Sequence, residues 1–476
     1  MTNFFTLPLI KQLFQALGRK LTQHCNICNA NRFDLVIDNL IGVKNNLCFK
    51  CRIQGNILKQ LLIRWFNFYN FDFNTFLALC TNLTMRKLIK NIFKGLAIFG
   101  LRKPFITGAP LSIVWNFTKK CNLKCSHCFS DSQFNKQSEN ELSTGEAKRV
   151  IDILAANDII TVNFCGGEPL MRDDIYEVIK YTRDKGIFPS LSTNATLLTK
   201  NICQKLFNAG IRDITISLDG ISSKSHEYLR NVPGTFEKAV NGIKIAVEFG
   251  KFEEIIVNTT LLDFNYIEIP QIYKFIKGLG ATGYYISRIL PTGRGKDYLE
   301  HSVSKDVMLN TMKFMAKNFI QNACNESELS VLGRGMPYFS RTCYELSNGN
   351  IFPVCEILTG YESKYQKFFN GNAASIVNRL YSFFSGCATG LFYCGLDCDG
   401  NILPCAPAGH IKLGNILKKG LSEIWIKHPL LNKIRQRDKL NGKCSKCNSK
   451  VFCGGCRLTA YGLTGDWLGS DLSCPY

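Results

Sequence analysis

The feature of this sequence that most constrains its fold is its 22 cysteines. Such a number is typical of a disulfide framework, a set of metal ligands, or a scatter of buried thiols. Many of the cysteines recur two or three residues apart, a spacing that chelation requires and random burial does not. Residues 1–20 have no basic start followed by an unbroken apolar stretch, which argues against export to an oxidising compartment. We therefore predict metal binding in a cytoplasmic protein.

Size and charge set the next limits. A chain of 476 residues exceeds one hydrophobic core and predicts two or three domains. The most apolar region, 57–80, is interrupted by Lys59, Arg64 and Asp72, so no membrane span is expected. Residues 1–110 hold 15 Lys/Arg and 3 Asp/Glu, so +12 of the net charge of +21 lies there. This basic part fits an RNA-binding or anionic membrane surface, or simply a solvated basic face.

Between residues 111 and 290, β-rich runs alternate with helical patterns. The predicted strands are 111–117, 160–165, 188–192, 213–218, 254–261 and 284–289. The predicted helices are 144–156, 173–185, 199–209, 235–249 and 269–279, and Ser143 with Glu146 suggests a capping box. This order predicts an α/β fold with a parallel sheet, curled into a partial (β/α)6 TIM-like barrel.

Polar and glycine-rich segments follow the predicted strands. They are a cysteine loop after strand one, Gly-Gly-Glu-Pro at 166–169, Ser-Thr-Asn at 192–194, Ser-Leu-Asp-Gly at 217–220, and Arg288 with Pro-Thr-Gly-Arg-Gly at 291–295. Barrel enzymes place their chemistry on loops at the carboxyl ends of strands. Five such segments on one edge predict an active site there.

The cysteine loop carries the proposed chemistry. Cys121, Cys125 and Cys128 offer three thiolates within eight residues. Three soft ligands on a tight loop favour an iron-sulfur cluster over a closed zinc site, which would take a fourth protein ligand nearby. One iron would then be open to a small chelating molecule.

Together these motifs resemble the radical SAM superfamily over about residues 111–295. The resemblance implies a 4Fe-4S cluster on Cys121, Cys125 and Cys128 whose open iron binds S-adenosylmethionine, followed by reductive cleavage to a 5′-deoxyadenosyl radical. It implies, with the residue types, that the nucleotide is bound by His127, Gly166, Gly167, Glu168, Ser192, Asn194, Ser217, Asp219 and Arg230. In this interpretation the glycines let the backbone approach the methionine end, Glu168 supplies charge or anchors the turn, and Arg230 pairs with the carboxylate. His127 either stacks on adenine or is a packed loop histidine. Cys165 is predicted to be a buried strand thiol.

The C-terminal cysteines resemble a SPASM domain, which holds auxiliary 4Fe-4S clusters. By analogy, one cluster is bound by Cys387, Cys394, Cys405 and Cys456, and a second by Cys444, Cys447, Cys453 and Cys474. Cys398 is left over, and the two-residue gap between Cys453 and Cys456 departs from many members. Two structural zinc sites are the alternative. Cys324, Cys343 and Cys355 are predicted to be ordinary buried thiols.

The resemblance extends to a substrate class. The stretches at 110–118, 291–295 and 454–466 resemble radical SAM enzymes of siroheme-dependent haem biosynthesis and of the nitrite-reductase haem, and also peptide maturases. A tetrapyrrole side chain is the favoured substrate and a ribosomal peptide the alternative. A small ferredoxin- or flavodoxin-type protein is the expected electron donor. Spacing alone names no porphyrin-ligating histidine, and His226 and His410 are the two histidines in plausible loops.

The N-terminal extension carries a second metal motif. Cys25, Cys28, Cys48 and Cys51 have the spacing of a four-cysteine zinc site, with a rubredoxin-like iron site as the alternative. Residues 85–103 predict a basic amphipathic helix that packs on the barrel or on a membrane. The predicted domains are a zinc-ribbon-like extension (1–84), a linker helix (85–110), a radical SAM core (111–300), a helical linker (301–385) and a SPASM domain (386–476). A non-catalytic RNA-binding iron-sulfur or zinc protein is the alternative class.

Overall fold

The computed structural model describes residues 8–44, 46–68, 72–325, 329–348 and 386–476. A ten-stranded sheet forms its centre. The strands are β1 (Ser112–Thr118), β2 (Thr161–Gly166), β3 (Phe188–Thr193), β4 (Asp213–Ser217), β5 (Glu254–Leu261), β6 (Gly283–Arg288), β7 (Ser330–Arg334), β8 (Tyr393–Leu396), β9 (Asn401–Leu403) and β10 (Gly414–Asn415). Their order across the sheet is β7-β6-β5-β4-β3-β2-β1-β8-β9-β10. Every neighbouring pair from β7 to β8 is parallel, and the last two pairs are antiparallel.

Helices connect these strands and surround them. In chain order they are α1 (Pro8–Leu21), α2 (Arg32–Leu40), α3 (Phe49–Phe68), α4 (Phe73–Thr81), α5 (Leu83–Phe99), α6 (Thr144–Ala156), α7 (Ile175–Asp184), α8 (Lys200–Ala209), α9 (Ser223–Arg230), α10 (Thr235–Phe249), α11 (Ile269–Leu279), α12 (Lys305–Asn325), α13 (Phe339–Leu346), α14 (Ile416–Lys419), α15 (Leu421–Lys427), α16 (Pro429–Ile434), α17 (Gly442–Ser445) and α18 (Arg457–Thr464).

The predicted α/β class and the six core strands are confirmed. Each predicted strand lies within two residues of β1 to β6, and α6, α10 and α11 have the predicted bounds. The Ser143–Glu146 capping box is present, with the Ser143 side chain accepting from the Glu146 N–H. These elements were predictable because alternating helices and strands leave a strong apolar periodicity.

The two faces of the sheet differ in chemistry. One face carries side chains such as Trp115, Phe164 and Ile286 in the main hydrophobic core. Since side chains alternate along a strand, the residues between them lie on the opposite face. That face, which we call the polar face, includes Asn163, Cys165, Ser190, Ser192, Asn258, Ser287 and Arg334, placed side by side by the strand register. The cysteine loop follows β1 at the carboxyl edge of this sheet.

Two parts of the sheet lie outside the predicted core. β7 comes from the segment 301–385, which was predicted to be helical or irregular, and it pairs with β6 at one edge. β8 comes from the C-terminal segment and pairs with β1 from Ser112 to Trp115. The predicted boundaries near 300 and 385 therefore fall between elements that share a single sheet.

The N-terminal extension is mostly helical. Its helices α1 to α5 enclose a separate small core that includes Phe33, Val36 and Phe93. A two-residue antiparallel pair, His24–Cys25 with Ala30–Asn31, carries the first cysteines. This is more helix than the predicted zinc-ribbon-like extension implied.

The basic helix of the extension contacts the barrel. On α5, the Lys87 ammonium donates to the carbonyls of Ile159 and Gly186 at 3.2 and 2.6 Å. Lys90 and Lys94 form ion pairs with Asp158 at 3.1 and 2.5 Å. The basic side chains of α5 thus contact residues just before β2 and β3, so α5 packs on the barrel, the first of its two predicted positions. Among the residues the structure describes, no helix is both long and apolar enough to cross a membrane.

Candidate metal centres

The cysteine loop after β1 is held against the end of α9. Cys121, Cys125 and Cys128 lie in one small apolar cluster with Leu123 and Val232. The backbone N–H of Ser126 donates to the carbonyl of Leu229 at 2.9 Å, and that of Lys124 to Arg230 at 3.3 Å. The loop therefore has a fixed position at the carboxyl edge of the sheet, where it was predicted.

The spacing of these three thiols fits a cluster better than a single ion. Tetrahedral zinc with bonds of about 2.3 Å brings its sulfurs to about 3.8 Å from one another. Among the described residues, only Cys25, Cys28, Cys48 and Cys51 bring their ligand atoms within 4.8 Å of one another. The wider set of Cys121, Cys125 and Cys128 suits a larger iron-sulfur unit with an open position.

The three thiols differ in their surroundings. Burial raises the pKa of Cys121 to about 12. Burial also raises the pKa of Cys128, but hydrogen bonds with the hydroxyls of Ser130 and Ser132, each at 3.3 Å, outweigh burial and leave it below its usual value. Thiolates must form before metal binds, so these hydroxyls favour the ligand form of Cys128.

Arg230 lies beside the cysteine loop. Its Nε and Nη2 donate to Asp219 Oδ2 at 2.7 and 2.6 Å, while its Nη1 points to Cys125 Sγ at 3.8 Å. Asp219 Oδ1 accepts from the backbone N–H of Thr260 at 2.8 Å. Both side chains are buried. The Arg230 fork is occupied by Asp219, and contact of either residue with the nucleotide stays a prediction. Arg230 places a positive charge at a cluster cysteine.

The Gly-Gly turn also has a different role from the predicted one. A Cβ on Gly166 would lie 2.5 Å from the carbonyl of Thr118, and one on Gly167 would lie 2.2 Å from that of Lys120. The N–H of Gly167 donates to Thr118 at 2.7 Å. The missing side chains therefore let this turn pack against the chain that leads into Cys121. Their predicted contact with the methionine end is not needed to explain them.

Glu168 ties the turn to the next strand. Its carboxylate accepts from the Thr193 hydroxyl and the Asn194 N–H, both at 2.8 Å, and from the Leu170 N–H at 3.2 Å. Burial raises its pKa to about 7 although these hydrogen bonds oppose the shift. Of the two predicted roles for Glu168, supplying charge or anchoring the turn, the contacts support the second.

The other predicted nucleotide contacts lie along the same edge. Asn194 donates to Asn122 Oδ1 at 2.8 Å, next to the cysteine loop. Ser192 donates to Asn163 Oδ1 at 3.0 Å on the polar face, and Ser217 ends β4 on the same face. These three side chains lie at the predicted edge of the sheet. Their contact with a nucleotide stays a prediction.

His127 is buried with an unused nitrogen. Burial lowers its pKa to about 4, so its imidazole is neutral. Its Nδ1 has no hydrogen-bond partner among the described residues. An unpaired buried polar atom is uncommon in a folded protein and marks a place where a ligand can bind. The predicted contact with the nucleotide fits this position.

The loop at 291–295 was predicted to lie at the active-site edge, and it contacts the cysteine loop there. A Cβ on Gly293 would lie 2.4 Å from the Cys128 carbonyl. Arg294 donates from Nε to the Cys125 carbonyl at 2.8 Å and from Nη1 to the Ser132 carbonyl at 2.7 Å. Arg294 therefore joins two parts of the cysteine loop. The order Gly-Arg-Gly after a strand was the available signal.

The first auxiliary group contains three of its four predicted cysteines. Burial raises the pKa of Cys405, and the neighbouring Cys456 and Cys387 raise it further, so these three thiols lie close together. Arg288 reaches this group, since its charge lowers the pKa of Cys456 against the effect of burial. Asp471 accepts from the Cys456 N–H at 2.8 Å.

Cys394 does not join that group. It is fully buried on β8 and belongs to the main hydrophobic core. Its neighbour Tyr393 points to the other face, where its hydroxyl lies 3.9 Å from Cys405 Sγ. Because adjacent strand residues face opposite sides, Cys394 points away from Cys405, and its prediction as a ligand is corrected.

The second auxiliary group gathers around buried arginines. Burial raises the pKa of Cys453 with a further rise from Cys474, and Cys474 is in turn influenced by Cys444. The N–H of Cys447 donates to the Cys444 carbonyl at 3.4 Å. Arg457 Nη2 lies 3.9 Å from Cys444 Sγ. Four predicted ligands therefore occupy one region.

The remaining predictions concern single thiols and histidines outside the cysteine groups. Cys165 and Cys343 are buried thiols, as predicted, whereas Cys355 and the side chain of Cys324 lie outside the described residues. Cys398 is buried beside Asp399.

His226 is 2% exposed and its Nδ1 accepts from the Asp219 N–H at 3.1 Å, so it is not available as a porphyrin ligand. His410 is exposed next to Tyr461, with ring centroids 6.4 Å apart.

The N-terminal cysteines form a compact set of four. Cys25, Cys28, Cys48 and Cys51 have their sulfurs within 4.8 Å of one another, and Cys25 and Cys48 are 3.6 Å apart. Backbone N–H groups, led by that of Cys28, lower the pKa of Cys25 to about 6. This spacing matches the value of about 3.8 Å expected around a tetrahedral ion.

Comparison with known proteins agrees with this arrangement. A profile of the radical SAM superfamily matches residues 115–276, and the SPASM profile, described as an iron-sulfur cluster-binding domain, matches residues 387–448. The chain belongs to the radical SAM superfamily and is an S-adenosylmethionine-dependent iron-sulfur enzyme. The alternative of a non-catalytic RNA-binding protein is therefore wrong.

Individual relatives narrow the comparison. The chain is 32% identical over 376 residues to the AdoMet-dependent heme synthase of Methanosarcina barkeri (strain Fusaro / DSM 804), covering 78% of this chain and 98% of that protein. It is 26% identical over 373 residues to the mycofactocin maturase MftC of Mycobacterium tuberculosis (strain CDC 1551 / Oshkosh), covering 77% and 83%. The crystal structure of Streptococcus suis SuiB bound to its precursor peptide SuiA has the same fold, with a TM-score of 0.59, 19% identity and coverage of 97% and 92%.

Proposed function

We propose that this enzyme abstracts a hydrogen atom from a side chain of a tetrapyrrole, after reductive cleavage of S-adenosylmethionine. The observation that carries the chemistry is the loop of Cys121, Cys125 and Cys128, fixed at the carboxyl edge of the sheet with one buried arginine beside it. The observation that favours the substrate is the similarity to a heme synthase over nearly the whole of that protein.

The chain's own residues would hold and orient the reactants. A 4Fe-4S cluster on the three cysteines would supply the electron that splits S-adenosylmethionine into methionine and a 5′-deoxyadenosyl radical. His127 and Asn194 lie next to this loop and would contact the nucleotide. The Gly-Gly turn and Arg294 hold the loop in register, and the polar face lies beside it for the substrate.

The auxiliary groups would hold further clusters. We propose one on Cys387, Cys405 and Cys456, and a second on Cys444, Cys447, Cys453 and Cys474. The first would have three cysteine ligands from this set, because Cys394 faces the core. We also propose zinc at the N-terminal cysteine set and a small ferredoxin- or flavodoxin-type protein as reductant.

A ribosomally made peptide is the second candidate substrate. It is favoured by the similarity to a mycofactocin maturase along most of this chain. The two candidates predict different products, because a tetrapyrrole would lose or change a side chain whereas a peptide would change in one residue.

The proposal is tested with anaerobically reconstituted protein. Dithionite and S-adenosylmethionine should give 5′-deoxyadenosine, and an iron tetrapyrrole with propionate side chains should increase its yield and change in mass. Formation of 5′-deoxyadenosine without any change in the tetrapyrrole would disprove the substrate. No 5′-deoxyadenosine would disprove the reaction in this protein.

A further inference from the structure

Arg334 differs from the other buried or half-buried arginines near the metal centres. Arg230 is paired with Asp219, and the guanidinium groups of Arg437 and Arg457 donate to backbone carbonyls. Among the described residues, the guanidinium of Arg334 has no ion pair and no hydrogen bond; its contact is with the ring of Tyr285, 4.2 Å from the ring centroid. A half-buried cation without an anion is unfavourable unless a ligand supplies one.

The position of Arg334 faces the reaction site. It ends β7 and is paired in register with Ser287 on β6, so both lie on the polar face. The Arg334 charge acts on the Cys165 thiol, and Cys165 is also within the electrostatic reach of Cys128. Arg334 therefore lies at the same edge of the sheet as the cysteine loop, across the polar face from it.

The backbone around Arg334 is fixed. Arg288 donates from Nε to the carbonyl of Gly335, the next residue, at 2.6 Å. Its other nitrogens contact the hydroxyls of Ser473 and Thr459 in the C-terminal segment. Stacking on Tyr285 orients the guanidinium plane. The free fork is thus held in place before a ligand arrives, which reduces the entropy that binding would cost.

We propose that Arg334 binds a carboxylate of the substrate and so sets which part of it meets the cysteine loop. A guanidinium fork binds a carboxylate through two parallel hydrogen bonds, which fixes orientation as well as affinity. This inference rests on the proposed function, since the favoured tetrapyrrole substrates carry propionate groups. A peptide could supply the same group from an acidic side chain.

The experiment is a binding titration of reconstituted, full-length protein in the absence of reductant. Wild type, Arg334→Gln and Arg334→Lys are titrated with iron coproporphyrin III. The shift of the porphyrin's Soret band measures binding. The same titration uses the carboxamide derivative, in which every propionate is neutral. Arg149→Gln is the matched control because it removes an arginine that is 65% exposed on the outer helix α6. Iron content and circular dichroism check that each variant is folded.

We expect Arg334→Gln to weaken the binding of the acid by about 10- to 100-fold, because a charge-assisted hydrogen-bond pair is lost. The affinity of Arg334→Lys for the acid should lie between those of wild type and Arg334→Gln, since lysine keeps the charge and loses the fork. The carboxamide should bind wild type and Arg334→Gln equally, and Arg149→Gln should bind like wild type.

The outcomes separate the inference from the proposed function. Equal affinity of wild type and folded Arg334→Gln for the acid would overturn the role of Arg334 alone. If Arg334→Gln does not fold, the wild-type protein decides: binding the carboxamide as tightly as the acid would overturn the inference. If wild type does not bind the tetrapyrrole but binds an acidic peptide, the proposed substrate is wrong and the peptide then tests the inference: equal peptide affinity of wild type and folded Arg334→Gln would overturn it.

Discussion

The N-terminal cysteine set and the cysteine loop of the barrel arrange their thiols in different ways. Four thiols converge within 4.8 Å in the extension, which closes the coordination sphere of a single ion. Three thiols lie farther apart in the barrel, beside the buried charge of Arg230. A closed set leaves no coordination position for a reacting molecule, whereas an open set does. Both sets consist of cysteine thiols, so the number of thiols and their spacing distinguish the closed set from the open set.

The strongest test of this difference is a substitution in the open set. Cys125→Ser should reduce 5′-deoxyadenosine formation to the level of a no-enzyme blank, because a three-ligand site cannot lose one ligand and keep a cluster. Liquid chromatography of anaerobic reactions measures the product. Cys203→Ala is the control, since Cys203 is a buried core thiol on α8. Activity retained by Cys125→Ser would remove the distinction between the two sites.

The closed set should respond differently. Cys28→Ser should lower zinc from about one ion per chain to none, since four thiolates are needed to close the site. The rate of 5′-deoxyadenosine formation should change far less than in Cys125→Ser. Cys80→Ala, a buried thiol on α4 outside the set, should keep its zinc, as elemental analysis would show. Iron in place of zinc in the wild type would make the extension a redox site.

The buried pair behind the open set should be important for stability. Asp219→Asn leaves Arg230 buried without its partner, which should lower the free energy of unfolding by about 3–5 kcal/mol. Asp152→Asn, in the exposed pair with Lys185, should have little effect. Urea unfolding measures both.

The same pair predicts a pH dependence. Arg230 holds the pKa of Asp219 below its usual value despite burial. The stabilisation by Asp219 is therefore present above the pKa of an unfolded aspartate and is lost as the pH falls through the lower folded value. Wild type and Asp219→Asn should converge in stability on acidification. A constant difference would mean that the pair does not titrate as a buried ion pair.

The smallest effect concerns the contact between extension and barrel. Asp158→Asn removes the carboxylate shared by Lys90 and Lys94 and should cost about 1–3 kcal/mol in the unfolding of the extension, because the Lys90 and Asp158 side chains are each only 13% exposed. Asparagine suits this position because Asp158 has a positive φ of 58°. Limited proteolysis measures release of the extension. Glu248→Gln, in an exposed pair with Lys200, is the control.

The sequence allowed good predictions where the signal was local. The apolar periodicity of strands and helices predicted β1 to β6 and most of their connecting helices. Short cysteine spacings predicted each candidate metal site. α9 was missed because it is mostly polar, with Leu229 as its buried apolar residue in a short helix. β7 and β8 were missed because the pairing of distant segments is not encoded in any local pattern.

The sequence could not predict where another part of the chain would contact a candidate site residue. Gly166 and Gly167 were assigned to the nucleotide, but backbone from 118–120 fills the space beside them. Arg230 was expected to bind a carboxylate, and it does bind one, that of Asp219. Cys394 fits a ligand spacing but lies on the wrong face of its strand. Residue type and spacing predict chemistry, whereas direction depends on the tertiary fold.

The pairing of β8 with β1 has a mechanical consequence. Four residues of the C-terminal segment pair in parallel with the strand that leads into Cys121. The barrel and the C-terminal segment therefore belong to one continuous sheet. A hinge between them would have to break that pairing. We therefore expect a large flat or extended molecule to enter without such a hinge motion, and the distance between the cysteine loop and the C-terminal cysteines to change little.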